Sequence, residues 1–337
     1  MHVKILVVAP SWIGDTILAQ PLLARLKQQH MGARIEVLAP AWSAPLLARM
    51  AEVDAVITSA FAHGDFKWWS RRALGLQIRD AAGDDPFTHA YVLPNSWKSA
   101  LVPFFAGIPQ RIGYQGEARF GLLNQRHVLD TVAHPQLVQR YAALAGVLSP
   151  GEAALLQPVL QSSPEQQMAV RKALNLPLDA APVIFCPGAE YGPAKRWPTW
   201  HFASLARRIV SADKPVWLLG SAKDVALGEQ IVRASDGAAL NLCGQTTLDQ
   251  AIDLLATACA VVTNDSGLMH VAAALDRPLV ALYGSSSPLY TPPLSPLAKI
   301  VRQDLPCSPC FKRECPLGHL DCLNGMKPET VLQQLTL

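Results

Sequence analysis

The chain has 337 residues, of which 50% are hydrophobic and 16% charged, with a formal net charge of +3. That length exceeds one ordinary core and suits two domains of roughly 150 residues each, and the apolar content excludes a largely disordered chain. So small a positive charge excludes a dedicated nucleic-acid binder, while it suits a protein that meets anionic lipid headgroups.

No apolar run approaches the roughly 18 residues that a membrane span requires. The first run, Val3 to Ala9, has the look of a short leader. It leads into Trp12-Ile13-Gly14-Asp15 without a small-residue cleavage site, and so reads as a first buried strand of a cytoplasmic protein. Thr16 to Gln28 has helical periodicity, and Pro21 either kinks that helix or marks where it begins in earnest. Arg34 to Ala39 and Ala55 to Ile57 read as strands, separated by a helix over Ala44 to Met50. Trp68 to Arg79 is a helix and His89 to Leu93 a strand that ends in Pro94-Asn95-Ser96-Trp97-Lys98-Ser99. A loop-rich region with interleaved basic and aromatic residues follows, through Arg111, Tyr114, Arg119, Phe120 and Arg126, before a helix over Val138 to Ala145. Strands that are apolar throughout, alternating with helices, imply a parallel sheet covered on both faces.

Leu148 to Pro164 combines prolines, a glycine and polar residues without periodicity, which marks a linker between domains. The alternation then resumes. Val183 to Cys186 is a strand ending in Pro187-Gly188-Ala189-Glu190, Thr199 to Val210 a helix, Pro215 to Leu219 a strand and Asp224 to Ala234 a helix. Leu248 to Thr257 is a helix leading into the apolar run Ala258 to Thr263, and Leu279 to Leu282 is a further strand. The expected domains are 1–160 and 161–325, each a doubly wound, Rossmann-like parallel sheet, facing one another across a ligand crevice. A C-terminal helix over 326–337 is expected to pack back on the first domain.

The run Asn264-Asp265-Ser266-Gly267-Leu268-Met269-His270 joins a buried strand to a helix. Such a junction leaves backbone N–H groups unpaired at the positive end of a helix, a place to hold phosphate. Gly267 lets the backbone approach a ligand, and Ser266 or Asp265 can cap the helix. An ordinary capped junction would have the same residues. No Gly-x-Gly-x-x-Gly follows a strand and no Gly-x-x-x-x-Gly-Lys-Ser/Thr occurs, so dinucleotide redox chemistry and P-loop phosphoryl transfer lose their main supports.

Four strand ends carry unusual polar groups in a recognisable order: Ser11 to Thr16, Asn95 to Lys98, Cys186 to Pro198, and Asn264 to His270. With these motifs in register over nearly its whole length, the chain resembles the ADP-heptose:lipopolysaccharide heptosyltransferases, most of all their type II branch. The resemblance implies a GT-B architecture, with the acceptor on the first domain and ADP-heptose on the second. It implies transfer of L-glycero-D-manno-heptose, with inversion, to the first heptose of the lipopolysaccharide inner core. No cofactor is required; magnesium is compatible but not essential. The partners are ADP-heptose, the inner-core acceptor and the cytoplasmic face of the inner membrane. Type I or III transfer to another acceptor, or a GT-B nucleotide-sugar epimerase, are the alternatives; an epimerase would turn over the donor alone.

On this resemblance Asp15 is the general base that takes the proton from the attacking acceptor hydroxyl. Its place in a helix's first turn also fits a cap, and the helix dipole there would weaken it as a base unless Trp12 and Ile13 desolvate it. Lys195 stabilises the departing diphosphate, beside Arg196 and Gly188. Asp265, Ser266, Gly267, Met269 and His270 complete the donor site, with Asp265 placed at sugar or ribose hydroxyls. Relatives carry a glutamate just after the next strand, where this chain has Gly220-Ser221-Ala222-Lys223-Asp224, so the ribose contact passes to Asp224. Trp12, Asn95, Ser96, Lys98, Arg111, Arg119 and Arg126 form the acceptor side, where arginine forks suit carboxylates and phosphate.

Cys307, Cys310, Cys315 and Cys322, with His319 among them, approach zinc-ligand spacing. The interval between Cys310 and Cys315 is not that of paired knuckles, and reduced thiols without a metal are expected.

Overall fold

A computed structural model describes residues 3–61, 64–148 and 156–336. Part of the expected linker, residues 149–155, lies outside the described residues. The chain forms two compact units, Met1–Pro158 and Val159–Leu337.

The first unit runs β1 (Lys4–Val8), α1 (Ile13–Leu18), α2 (Gln20–Gln29), β2 (Arg34–Pro40), α3 (Ala44–Leu47), β3 (Ala55–Ser59), α4 (Trp68–Ala82), β4 (His89–Val92), α5 (Leu101–Phe105), β5 (Gln110–Tyr114), β6 (Gln125–His127) and α6 (Leu137–Ala142). Its sheet is parallel throughout, in the order β3-β2-β1-β4-β5-β6. All five residues of β1 are buried, as a central strand with helices on both faces must be. Leu6 and Val8 of β1 pack with Val92 of β4, Ile78 of α4 and Val102 of α5. The expected first helix is two, because the chain restarts at Gln20 and places Pro21 in the first turn of α2, where a missing N–H costs nothing.

The second unit runs α7 (Pro164–Ala173), β7 (Val183–Cys186), α8 (Thr199–Val210), β8 (Val216–Leu218), α9 (Val225–Ala234), β9 (Ala239–Asn241), α10 (Leu248–Ala256), β10 (Ala260–Asn264), α11 (Gly267–Ala274), β11 (Leu279–Tyr283), β12 (Ala298–Arg302), α12 (Asp321–Asn324) and α13 (Pro328–Gln334). The sheet order is β12-β11-β10-β7-β8-β9, again all parallel. Counted from its own first strand this is the same 3-2-1-4-5-6 winding as the first unit, so each unit reverses its strand order once, between β1 and β4 and between β7 and β10. Ligands of doubly wound sheets bind outside the carboxyl ends of the strands at that reversal.

Four strands go beyond the sequence reading. β5 and β6 lie in the region read as loop, and β9 and β12 carry mostly exposed or half-buried residues. The C-terminal helix α13 packs on α8, with Val331 fully buried in the core of the second unit beside Phe202 and Met326. Among the described residues no helix is long and apolar enough to cross a membrane.

Removing the Val331 methyl groups tests the place of α13. Val331→Ala should lower the stability of the chain by on the order of 1–3 kcal/mol, read by urea unfolding, whereas a peripheral helix would lose almost nothing.

Candidate functional site

Most of the residues that the sequence singles out sit after a strand that flanks a reversal; Asp224 instead follows β8, Arg111 and Arg126 lie in β5 and β6, and Arg119 lies between those two strands. In the second unit the loop from Pro187 to Trp197 follows β7, and Asp265 follows β10. Asn264, with no exposed surface, joins the two: its Nδ2 donates to the Pro187 carbonyl at 2.7 Å, and its Oδ1 accepts from the Trp197 amide at 3.0 Å. Trp197 is itself locked, its indole buried and donating to the Met326 carbonyl at 2.9 Å. This frame places the Lys195 ammonium 2.5 Å from Oδ2 of Asp265, a pair whose side chains are 19% and 5% exposed. The ammonium also lies 5.3 Å from the centre of the Tyr191 ring.

The helix that opens here has Ser266 as its extended first residue, without a side-chain cap. The Met269 amide turns back to the Ser266 carbonyl at 3.2 Å, and the Met269 side chain is fully buried, its sulfur 3.5 Å from the Tyr283 hydroxyl. The amides of Ser266, Gly267 and Leu268 come before the helix's own acceptors and are the part of the junction suited to an anion. His270 is buried; desolvation carries its pKa down from 6.5 to about 4, with Lys195 pushing the same way and Asp265 opposing, so the ring is neutral near pH 7.

Arg196 donates from Nη2 to the Ala189 carbonyl at 3.2 Å, while its buried Nε has no hydrogen-bond partner among the described residues. Asp224 is buried and serves its own turn: Oδ2 accepts from the Ser221 amide at 2.9 Å and from its hydroxyl at 2.8 Å. A Cβ on Gly188 would stand 2.6 Å from that carboxylate, and one on Gly220 2.9 Å from the Asp224 Cβ. Glycine ends both β7 and β8 because the Asp224 side chain fills the space a side chain would need.

In the first unit Asp15 is half-buried in the first turn of α1, and Trp12 just before it is 45% exposed. Thr16 ties the loop down, its hydroxyl donating to the Trp12 carbonyl at 2.9 Å. Across the reversal, Asn95 is exposed, Ser96 and Lys98 are half-buried, and the Lys98 ammonium donates to the Gly64 carbonyl at 2.7 Å.

Two acceptor-side arginines are corrected. Arg111 donates to the carbonyls of Leu122 and Ile108, both at 2.6 Å, and of Gly121 at 3.4 Å. Arg119 is 2% exposed and donates to the carbonyls of Pro94 and Tyr114. Both guanidinium groups turn inward, Arg111 onto main chain and Arg119 onto the main chain at the ends of β4 and β5, with Arg119 Nη2 also 3.4 Å from the Asn95 Oδ1; neither forks outward. Arg126 remains at the surface, its guanidinium 4.5 Å from the centre of the Phe120 ring.

The cysteine-rich segment is a brace. Its cysteines are thiols, and among the described residues no three His, Cys, Asp or Glu side chains are grouped to hold a metal ion. It meets the loop after β7: the Arg313 carbonyl accepts from the Ala194 amide at 3.0 Å, Arg313 Nε donates to the Tyr191 carbonyl at 2.7 Å, and the Phe311 carbonyl accepts from the Tyr191 hydroxyl at 2.9 Å. Gly192 at φ 159° leaves room for the Arg313 carbonyl, which a Cβ there would meet at 2.4 Å.

The model of glycosyltransferase family 9 (heptosyltransferase) matches residues 75–321. The chain is 46% identical to lipopolysaccharide heptosyltransferase 2 of Escherichia coli (strain K12), over 98% of this chain and 97% of that protein. The chain belongs to glycosyltransferase family 9. It is also 43% identical to lipooligosaccharide heptosyltransferase 2 of Haemophilus ducreyi, over 98% of each. The solved structure of E. coli ADP-heptose lps heptosyltransferase II superposes with a TM-score of 0.87 at 45% identity, covering 98% of this chain and 97% of that one. The fold of this family 9 member is therefore GT-B, two parallel six-stranded sheets with flanking helices.

Sequence reasoning missed residues of this site. Asn264 was read as part of a junction, yet its amide sets the geometry, because only the structure brings Pro187 and Trp197 to it. Ser285 and Ser286, after β11, have buried hydroxyls without hydrogen-bond partners among the described residues. The available signal was the same as at the other strand ends, an apolar run closing on small polar residues.

Two outcomes follow from the burial of these groups. Unfolded His270 binds a proton below pH 6.5 and folded His270 only below about 4, so falling pH destabilises the fold across that window, by at most about 3 kcal/mol from this group. His270→Asn should shrink the stability difference between pH 7 and pH 4.5, measured by urea unfolding at both. Arg119→Met should cost about 1–3 kcal/mol of stability by leaving two carbonyls without a donor, while the KM for the acceptor stays unchanged.

Proposed function

We propose that this chain transfers L-glycero-D-manno-heptose from ADP-heptose to the first heptose of the lipopolysaccharide inner core, inverting the anomeric carbon. One observation carries the chemistry. Lys195 is a cation held by Asp265 across the reversal between β7 and β10 and beside the first amides of α11, where a doubly wound sheet can take a nucleotide. The identity of the sugar and the acceptor follows from the activity of the relatives.

In the reaction the acceptor hydroxyl attacks the anomeric carbon as its bond to the diphosphate oxygen breaks. Asp15 takes the hydroxyl proton, and the charge that gathers on the departing ADP meets Lys195. An ammonium has three N–H donors, so Lys195 can keep Asp265 and still reach the leaving oxygen. Asp265 fixes its direction before substrate arrives, which makes the stabilisation preorganised. Ser266, Gly267 and Leu268 offer amides to the diphosphate, and Asp265, being acidic, suits hydroxyls of the sugar or ribose. Gly188, Arg196, Asp224 and His270 line the donor side; Trp12, Asn95, Ser96, Lys98 and Arg126 line the acceptor side.

Proton removal by Asp15 and charge neutralisation by Lys195 together supply what a metal ion would, and we propose no metal requirement. The acceptor is anchored in a lipid, so the enzyme works as a peripheral protein at the cytoplasmic face of the inner membrane, where a net charge of +3 favours anionic headgroups.

Incubation with ADP-heptose and an acceptor bearing one heptose should add one heptose to the product mass; an acceptor without heptose should stay unmodified. Asp15→Asn should lower kcat by about 10²- to 10⁴-fold with ADP affinity retained, and near-normal turnover would remove Asp15 as the base.

A further inference from the structure

The loop after β11 carries two hydroxyls that the fold does not use. Ser285 is 1% and Ser286 9% exposed, and neither hydroxyl has a hydrogen-bond partner among the described residues. Their neighbours show the contrast. The Ser287 hydroxyl accepts from the Leu289 amide at 3.2 Å, and the Ser308 hydroxyl donates to the Gly284 carbonyl at 2.7 Å. Buried polar groups in folded proteins are almost always satisfied, so two adjacent exceptions ask for a partner that comes from outside.

The loop lies at the donor site. A Cβ on Gly284 would be 3.1 Å from the Ala194 carbonyl, so the residue before Ser285 stands against the residue before Lys195. The Asp265 amide donates to the Leu282 carbonyl at 3.2 Å, which fixes the start of the same loop to the other half of the ion pair. The loop is held in place from behind as well, since the Ser285 carbonyl accepts from the Phe311 amide at 2.7 Å. Main chain pinned at both ends leaves these side chains little freedom to find partners within the fold.

Sheet order then says which part of a donor they meet. From one side to the other the strand ends carry Asp224 after β8, Gly188 after β7, Asp265 and the α11 amides after β10, and Ser285 with Ser286 after β11. With neighbouring strands about 4.8 Å apart, the span from β8 to β11 is roughly 14 Å, of the order of an extended nucleoside diphosphate sugar. A nucleoside at Asp224 and a diphosphate at the α11 amides leave the sugar at β11. A serine hydroxyl both donates and accepts, which matches the hydroxyls of a sugar.

We propose that Ser285 and Ser286 bind hydroxyls of the transferred sugar and so help to select it. This assignment rests on the donor-site reading given above. The test compares Ser285→Ala, Ser286→Ala and the double variant in the full chain, using ADP-heptose and ADP as probes. Each single change should lower kcat/KM for ADP-heptose by about fivefold to tenfold, with the double variant lower still, while the inhibition constant of ADP stays within about twofold of the parent. The melting midpoint without ligand should hold or rise, because each change removes a buried hydroxyl that has no partner. Unchanged kinetics would overturn the proposal, and so would an equal weakening of ADP, which would move the two hydroxyls to the diphosphate. A marked fall in the ligand-free midpoint would overturn it too, since it would reveal a partner within the fold. Failure of the parent chain itself to bind ADP would instead overturn the donor-site reading, and this assignment with it.

Discussion

The second unit depends on one buried carboxamide. A parallel sheet that reverses its order leaves a gap between two loops that diverge to opposite faces, and at β7 and β10 that gap is closed by Asn264. It satisfies a carbonyl at one end of the Pro187 to Trp197 loop and an amide at the other. Replacing it with an apolar residue would strand both groups in a buried site, which is costlier than the loss of the bonds themselves. The loop between them is therefore held as an arch, and Lys195 stands on it. The main chain at the two strand ends thus brings Lys195 within reach of Asp265, whose carboxylate then sets the direction of the ammonium.

That order of causes matters for the energetics. A lysine and an aspartate largely removed from water recover little net stability from each other, because desolvation offsets their attraction. Their value lies in arrangement. The pair is neutral overall, and the buried His270 beside it is neutral as well. The positive character offered to a diphosphate thus comes from the amides of α11 and from whatever share of Lys195 Asp265 leaves free. Whatever positive charge remains favours the transition state over bound substrate, because more negative charge gathers on the leaving oxygen there.

Much of this was legible in the sequence. The central strands are short apolar runs between polar loops, and burial on both faces forces that pattern on β1, β7, β10 and β11. The outer strands β6, β9 and β12 face solvent in part and carry no such pattern, so Gln125–His127 falls in the loop-rich reading and Ala239–Asn241 and Ala298–Arg302 are assigned no element from sequence. The site residues at strand ends were legible because a polar cluster after an apolar run is unusual. Arg111 and Arg119 were misread for the opposite reason. An arginine in a loop has the same letters whether it meets solvent or main chain, and its partners Pro94, Tyr114 and Leu122 are set only by the fold.

The loss of those two arginines from the acceptor side changes what that side is. With their guanidinium groups holding β4, β5 and the following turn together, they make a rigid floor, as Arg71 does nearby by donating to the carbonyls of Phe66 and Asp65. On the acceptor side proposed above, an acceptor would meet the half-buried ammonium of Lys98, the exposed Arg126 and the dipoles of Asn95 and Ser96. Side chains that are already fixed lose little freedom on binding, so the affinity of each contact is not diminished by ordering it. Discrimination among acceptors by this unit then rests on the shape set by buried arginines, and only secondarily on the number of positive charges it displays.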